Sequence, residues 1–176
     1  MQRWLPVLLT AVALAGCEIM PPAPAPTERI EVIDRGTERE AERPAPGRVA
    51  RQVAFPEAEY AALQRTGSGV ISGRLSLNGT PGGGETVSVA PVTTYSAEAA
   101  EQALAGRAVE PADPRAREYT HTTRTDGQGH FRLNGIPAGE FYVSGSVVDP
   151  ASGQRRVIIR QVSLGNGQRL EVNLSR

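Results

Sequence analysis

Residues 120–133 read Thr-His-Thr-Thr-Arg-Thr-Asp-Gly-Gln-Gly-His-Phe-Arg-Leu, and this stretch holds the clearest structural signal in the chain. The four residues Asp126–Gly129 have the composition of a tight turn. Before them, Thr120–Thr125 has the character of a strand, and after them Phe131 and Leu133 alternate with polar residues. Side chains two positions apart on a strand point to the same face. The stretch therefore predicts two strands joined by a turn, the second with a buried face.

The same twofold period continues on both sides of this turn, from Gly69 to the end of the chain. Apolar and polar residues alternate in seven segments, with turn residues between them. The apolar positions are Ile71, Leu75, Leu77, Val87, Val89, Phe131, Leu133, Phe141, Val143, Val147, the run Val157–Leu164, Leu170, Val172 and Leu174. The pattern predicts an all-β domain, a seven-stranded antiparallel β-sandwich in which each strand turns one face to the core.

One or two short helices accompany the predicted strands. Pro56 suits the first position of a helix over 56–64. Ser96 suits the N-cap of a second helix that ends at Leu104. This second helix lies in segment 92–117, which is long for a connection inside a compact domain. The segment is either functional or a bridge between the two sheets.

The turn and a motif that follows it carry a family resemblance. Thr125–Phe131 and Ile136–Phe141 resemble the signature of the carboxypeptidase regulatory-like domain, a T-D-x-x-G-x-F turn followed by l-P-x-G-x-Y. The resemblance covers roughly residues 55–176 and implies a transthyretin-like sandwich, which is a carbohydrate-binding-like fold. The signature positions are Thr125, Asp126, Gly129, Phe131, Pro137, Gly139 and Phe141. Glycines set turns and aromatic rings fill cores, so the signature indicates the fold and leaves the function open.

The start of the chain carries a second resemblance. Leu14-Ala15-Gly16-Cys17 closes an apolar run and resembles a bacterial lipobox. The run is too short for a membrane-spanning helix, which needs about 20 apolar residues, so the alternatives are an ordinary secretory signal or a buried helix. The resemblance implies a signal peptide over 1–16 and a palmitate-bearing lipid on Cys17, the only cysteine. Glu18 implies an outer-membrane lipoprotein facing the periplasm, with retention at the inner membrane as the alternative.

Between Cys17 and the sandwich, residues 17–51 are predicted to form a disordered linker. Its first part alternates proline with alanine, which favours an extended backbone. The rest mixes acidic residues with arginines and offers few large apolar side chains, so it cannot bury enough surface to offset its ordering entropy. We therefore expect the folded domain to span 52–176.

Charge and chemistry-bearing residues argue against several functions. The formal net charge is 0 and there is no lysine, whereas nucleic-acid binding requires a basic face. His121 and His130 flank one turn, so their strands could pair and share a metal, but no cysteine or carboxylate cluster completes such a site. We predict no catalytic residue, no metal site and no cofactor, and therefore a protein that is not an enzyme.

Two binding functions remain. Related sandwiches bind glycans on exposed aromatic rings, and the candidates here are Tyr95, Tyr119 and Tyr142, because Trp4 lies in the predicted signal peptide. The favoured alternative is an accessory domain that engages or positions an envelope protein. An open sheet edge can accept a partner strand without any special side chains. The sequence thus predicts an envelope-protein partner, with a carbohydrate or peptidoglycan ligand as the alternative.

Overall fold

The computed structural model describes residues 47–176. The predicted signal peptide, the predicted lipidation site at Cys17 and most of the predicted linker lie outside the described residues. The strands are β1 (Arg48–Val49), β2 (Gly69–Leu77), β3 (Thr80–Pro81), β4 (Thr86–Pro91), β5 (Ala108–Val109), β6 (His121–Arg124), β7 (His130–Ile136), β8 (Gly139–Val148), β9 (Arg155–Leu164) and β10 (Arg169–Ser175). The helices are α1 (Glu57–Ala61), α2 (Thr94–Leu104) and α3 (Pro114–Arg117). Across 47–176 we find no helix with the length and apolarity needed to cross a bilayer.

The seven longer strands and the two-residue β3 form two four-stranded sheets. In the first sheet β2 is central, with β10 on one edge and both β7 and β3 on the other. The second sheet has the order β6-β4-β8-β9 and is antiparallel throughout. A separate two-residue pair joins β1 to β5. The architecture is therefore mostly β, as the alternating pattern predicts.

Both sheets contribute side chains to one hydrophobic core. The buried members are Ile71, Leu75, Leu77, Val87, Val89, Phe131, Leu133, Ile136, Phe141, Val143, Val147, Ile158, Leu164, Val172 and Leu174. These include every apolar position predicted to face inward on β2, β4, β7 and β8. The twofold period is thereby confirmed, because each of these strands has one buried row and one less buried row.

The prediction of a wholly antiparallel arrangement is wrong for the first sheet. β10 pairs parallel with β2, from Arg169 opposite Val70 to Ser175 opposite Ser76. The turn after β9 carries the chain from the second sheet to the first, and β10 then runs beside β2 in the same direction. Gly73 permits this approach, since a Cβ there would lie 1.9 Å from the Val172 carbonyl oxygen.

The helices also differ from the sequence prediction, which allows one or two of them. α1 ends earlier than 56–64, because the Ala62 and Leu63 amides bond to carbonyls three residues back and tighten the last turn. α2 begins at Thr94 with Thr93 as its N-cap, where the sequence pattern favours Ser96. The Thr93 hydroxyl accepts from the Ser96 amide at 3.1 Å, and the Ser96 hydroxyl accepts from the Thr93 amide at 2.9 Å. This is a capping box, and Ser96 is its third helical residue.

The first strand lies inside the range predicted as a linker. Arg48 and Val49 pair in parallel with Ala108 and Val109, and the Arg51 side chain donates to the Glu110 carbonyl at 3.2 Å. Residues 48–51 therefore belong to the packed fold. A two-residue strand carries no periodic signal of its own, which is why the sequence pattern does not find it.

A second, smaller cluster packs among the helices. Tyr60, Tyr95 and Ala116 are buried in it. Phe55 and Leu63 are partly buried and pack against these three residues. The cluster joins α1, α2 and α3 and holds segment 92–117 in a defined place.

Candidate functional site

A cavity of about 270 Å³ lies between α2 and the outer face of the second sheet. Its floor is the row of side chains opposite the buried row on β4, β8 and β9. Ala90 lies directly across from Tyr142, and Ser144 lies across from Ile159. We name it the Tyr142 cavity. Its volume is near the lower end of the range for small-ligand pockets, about 300–1,000 Å³.

Small side chains on α2 leave this space open. Ala99, Ala100 and Ala103 line the cavity from the helix side, at spacings of three and four residues that share one helix face. An alanine reaches only to its Cβ, so the helix does not fill the gap above the sheet. Thr120 and Ala112 contribute to the remaining wall. The cavity therefore follows from the residue types on α2 and from where the capping box starts the helix.

Tyr95 lines the Tyr142 cavity but already has partners on several sides. The Arg51 guanidinium carbon lies 4.0 Å from the centre of the Tyr95 ring, and Phe55 meets that ring edge-on with centroids 6.0 Å apart. The Tyr95 hydroxyl accepts from the Asp113 amide at 2.9 Å. Tyr95 is only 5% exposed. It is a wall of the cavity and has no free face on which a ligand could stack.

A buried carboxylate holds Arg51 in this position. Glu98, 9% exposed, accepts from the backbone amides of Gln52 at 2.5 Å and Val53 at 3.4 Å. Its Oε2 lies 3.7 Å from Arg51 Nη1, and the same Nη1 donates to the Tyr95 carbonyl at 3.2 Å. The incoming chain is thus tied to α2 by charge and by hydrogen bonds. Arg51 closes one side of the cavity as a result.

Tyr60 forms another part of the wall. Its hydroxyl accepts from the Thr93 hydroxyl at 3.3 Å, which links α1 to the cap of α2. Burial raises the pKa of Tyr60, while the bond from Thr93 lowers it. The Tyr60 ring therefore serves as neutral, rigid lining at physiological pH.

The three tyrosines predicted to bind a ligand do not all come together. Tyr95 and Tyr142 both line the cavity, whereas Tyr119 does not. Tyr119 packs edge-on against Tyr60 with ring centroids 5.2 Å apart, and the Arg65 guanidinium carbon lies 5.0 Å from its ring centre. Tyr142 is half-buried, and its hydroxyl has no hydrogen-bond partner among residues 47–176. Tyr142 is thus the aromatic residue that remains available to a ligand.

The signature residues lie away from the cavity and hold the turn and the core. Thr125 donates to the Gly82 carbonyl at 2.6 Å, and the Asp126 carboxylate accepts from the amides of Gln128 and His130 at 2.9 and 2.8 Å. These amide bonds lower the pKa of Asp126. Phe131 and Phe141 are in the core, Pro137 is buried, and Gly129 and Gly139 have positive φ. These residues therefore form part of the turn and the core and do not line the Tyr142 cavity.

The two histidines are not arranged as the sequence allows. His121 lies on β6 in the second sheet and His130 on β7 in the first, so their strands do not pair. The chain changes sheets at the turn between them. His130 Nδ1 lies 3.2 Å from Asp126 Oδ2, while His121 Nε2 is buried. Within 47–176 no group of three His, Cys, Asp or Glu side chains is placed to hold a metal ion.

Several site residues escape the sequence pattern. Arg51 falls in the predicted linker, and one of the hydrogen bonds that hold its side chain reaches across 59 positions to the Glu110 carbonyl. Ser144 alternates with core residues and reads as an ordinary solvent-facing position. The one available signal is the length of segment 92–117, which supplies α2 and most of the wall. No local pattern shows that α2 lies over the outer face of β8 and β9.

Comparison with known proteins adds independent information. No family model and no curated protein matches the chain. Among solved structures, PA1324 from Pseudomonas aeruginosa, described as a putative carbohydrate-binding protein, is 30% identical with a TM-score of 0.57. The match covers 69% of this chain and 97% of PA1324.

Two more distant solved structures have TM-scores below 0.5, which is too low for a comparison of folds. The dioxygenase domain of a dioxygenase carbohydrate-binding protein fusion from Streptomyces sp. SirexAA-E is 13% identical, covering 66% of this chain and 84% of that one, with a TM-score of 0.38. A 9R-lipoxygenase from Cyanothece PCC8801 is 12% identical, covering 76% and 18%, with a TM-score of 0.27. Neither carries an argument about this protein. With 30% identity over almost all of PA1324, the chain belongs to the same family as that protein.

Proposed function

We propose that this protein binds a carbohydrate in the Tyr142 cavity and performs no chemistry on it. The observation that carries the proposal is the cavity itself, in which a tyrosine without a hydrogen-bond partner in the described residues lies on a rigid sheet beneath a helix of small side chains. The description of PA1324 supports the same ligand class. This proposal gives first place to the glycan ligand, which the sequence offers as the alternative.

The chemistry of the lining suits a sugar ring. A sugar presents C–H groups on its faces and hydroxyls at its rim, so it pairs with an aromatic face and with hydroxyl partners. Tyr142 supplies the ring and a hydroxyl, and Ser144 supplies a second hydroxyl, each able to donate one hydrogen bond and accept others. The Thr120 hydroxyl donates to the Ala116 carbonyl at 3.3 Å, so it offers a ligand an acceptor. The alanines of α2 supply apolar contact on the opposite side.

A retention experiment tests the proposal. Purified protein is passed over insoluble polysaccharides and peptidoglycan, and the bound fraction is measured for wild type and for Tyr142→Ala. We expect at least one glycan to retain the wild type and the variant to bind it at least about fivefold more weakly, since one aromatic contact contributes about 1 kcal/mol or more. Retention of neither protein on any glycan would contradict the proposal.

Tyr119→Ala is the matched control. It removes the same side chain from outside the cavity, and a thermal melt shows whether each variant is folded. We expect Tyr119→Ala to retain glycan binding. If both tyrosine variants lost binding equally while folded, the site would not be the Tyr142 cavity.

The anchoring expected from the start of the chain remains part of the proposal. We propose that the lipobox-like stretch ending at Cys17 is processed and acylated, which would place the binding domain at the cell envelope. Cys17→Ser is expected to release a folded protein into the soluble fraction. A variant that stayed with the membrane fraction would rule out the lipid on Cys17 as the anchor.

The finer fold assignment and the protein partner also stay proposals. The structural roles of the signature residues support a transthyretin-like sandwich of the carboxypeptidase regulatory-like type. An experimental structure of this protein, compared with a member of that family, would test it. The envelope-protein partner predicted from open sheet edges has no contact or likeness in its favour, and we rank it below the glycan.

A further inference from the structure

A groove lined by arginines adjoins the Tyr142 cavity. The two share Ala99, Ala103 and Val157 in their walls, and the groove has a volume of about 510 Å³. Its arginines are Arg48, Arg107, Arg155, Arg156 and Arg176. They come from β1, from the turn after α2, from the start of β9 and from the residue after β10, so folding alone brings them together. We name this feature the arginine groove.

Much of this positive charge lacks a carboxylate at contact distance within residues 47–176, although Asp149 lines a neighbouring depression with Arg156 and Arg176. The pKa of Asp149 is lowered by the hydrogen bond from Ser152 and, to a lesser degree, by the charge of Arg156. Arg155 pairs with Glu85 at 2.7 Å, whereas the other four arginines have no carboxylate within 4.0 Å in this part of the chain. Glu110 is the one acidic side chain in the lining, and its carboxylate accepts from the Arg51 amide at 3.3 Å. Like charges gathered in a concave surface raise the local concentration of anions.

Two of the guanidinium groups are already held in place. Arg48 Nη1 donates to the Val109 carbonyl at 2.9 Å, and Arg107 Nε donates to Gln102 Oε1 at 2.6 Å. A guanidinium carries five N–H donors, so each keeps several for a ligand. An arginine that is oriented in advance loses less entropy when it binds a carboxylate through two parallel bonds.

We infer that the glycan bound by this protein is an acidic saccharide, with one ring in the Tyr142 cavity and an anionic substituent in the arginine groove. The inference rests on the proposed function and names its ligand class. The shared walls place an aromatic contact and a cationic surface side by side, and a polymer of uronic acids carries the complementary sugar faces and carboxylates. A single-stranded nucleic acid fits less well, because it needs aromatic platforms along its path and the groove lining contains no aromatic residue.

The test uses matched pairs of ligands that differ only in charge. Trigalacturonate and a glucuronate-containing tetrasaccharide are each compared with the counterpart whose carboxylates have been reduced to alcohols. Binding to the purified protein is measured by calorimetry at ~50 mM and ~200 mM salt. We expect an acidic compound to bind at least tenfold more tightly than its neutral counterpart at the lower salt, and the preference to shrink at the higher salt.

Charge variants show whether the arginine groove causes the preference for the acidic compound. Arg107→Gln combined with Arg156→Gln should reduce the preference for the acidic compound at least fivefold. Arg124→Gln combined with Arg132→Gln removes the same charge from exposed positions outside the groove lining and should leave the preference unchanged. A thermal melt confirms that both double variants are folded.

The outcomes of these experiments distinguish the acidic-saccharide inference from the proposed glycan binding. If acidic and neutral compounds bound equally, the inference would be wrong and the proposed glycan binding would stand. If neither member of any pair bound, the inference would fall, and the retention experiment alone would decide whether the proposed glycan binding stands. Binding of a dT oligonucleotide as tightly as the acidic saccharide would also overturn the inference, since the groove would then respond to charge without recognising a sugar.

Discussion

At the scale of single residues, Glu98 carries an unusual share of the contacts around the cavity. It is 9% exposed, and it joins Arg51, Gln52 and Val53 to α2. Glu98→Ala would leave the Gln52 and Val53 amides without their acceptor and remove the ion pair to Arg51, so we expect a loss of about 2–3 kcal/mol in the free energy of unfolding. Urea denaturation measures it.

Two further variants show whether the loss of stability comes from removing the Glu98 carboxylate. Glu101→Ala removes an exposed carboxylate from the same helix and should change stability by no more than about 0.5 kcal/mol. Glu98→Gln keeps an oxygen acceptor and should lie between Glu98→Ala and the wild type. If Glu98→Ala proved as stable as the wild type, Arg51 would not be held by this carboxylate.

His121 makes stability depend on pH. Its Nε2 is buried without a hydrogen-bond partner in the described part of the chain, and burial lowers the pKa of His121 below its ordinary 6.5. The unfolded chain therefore binds a proton more readily than the folded one, and folding loses stability as the pH falls below about 6.5. The slope for one group cannot exceed about 1.4 kcal/mol per pH unit.

The pH effect is measured by urea denaturation between about pH 7.5 and about pH 5.5, a window that brackets the ordinary His121 pKa of 6.5. Asp113, Asp126 and Asp149 do not interfere, since their pKa values lie below 3.8. We expect the wild type to lose stability across this window and His121→Leu to lose less. Identical slopes for the two proteins would show that His121 is not the group responsible.

At the scale of elements, the turn between β6 and β7 depends on one glycine. Gly129 has φ +84°, and a Cβ there would lie 2.3 Å from the Leu75 carbonyl oxygen. Gly129→Ala must therefore move backbone, and we expect it to cost more than about 2 kcal/mol. Gly127 lies in the same turn with open space around it, so Gly127→Ala should cost less than about 1 kcal/mol. Thermal melts of both variants measure the difference, and equal losses would contradict the turn geometry.

The elements that the sequence predicts well are those whose signal lies within a single strand. β2, β4, β7 and β8 each bury one row of side chains, and a period of two residues is visible within a single strand. The parallel pairing of β10 with β2 is not visible in this way, because either strand direction gives the same alternation. The cap at Thr93 escapes the pattern for a related reason, since Thr93, Thr94 and Ser96 are all good N-cap residues. Contacts from α1 distinguish them, because the Thr93 hydroxyl bonds to Tyr60 and the Glu59 carboxylate accepts from Thr94.

At the scale of the whole molecule, the candidate site is a product of long-range packing. Tyr95 and Tyr142 can be named from composition alone, because few aromatic residues lie outside the core positions. Their common cavity, the exclusion of Tyr119 and the role of Arg51 follow from placing α2 over the second sheet. The arginine groove is equally hidden from sequence, since a net charge of 0 averages over surfaces that carry opposite local charge.

Glycan binding in the Tyr142 cavity is the central claim, because the proposed role of the arginine groove in binding an acidic saccharide depends on it. An NMR titration tests this claim residue by residue. The isotope-labelled protein is titrated with a soluble oligosaccharide fragment of the glycan that retains it best, and changes in backbone amide shifts are mapped onto residues 47–176. We predict that the largest changes cluster on α2, on β8 around Tyr142 and Ser144, and on β9 around Ile159. Changes confined to the β6–β7 turn or to the first sheet would contradict the claim.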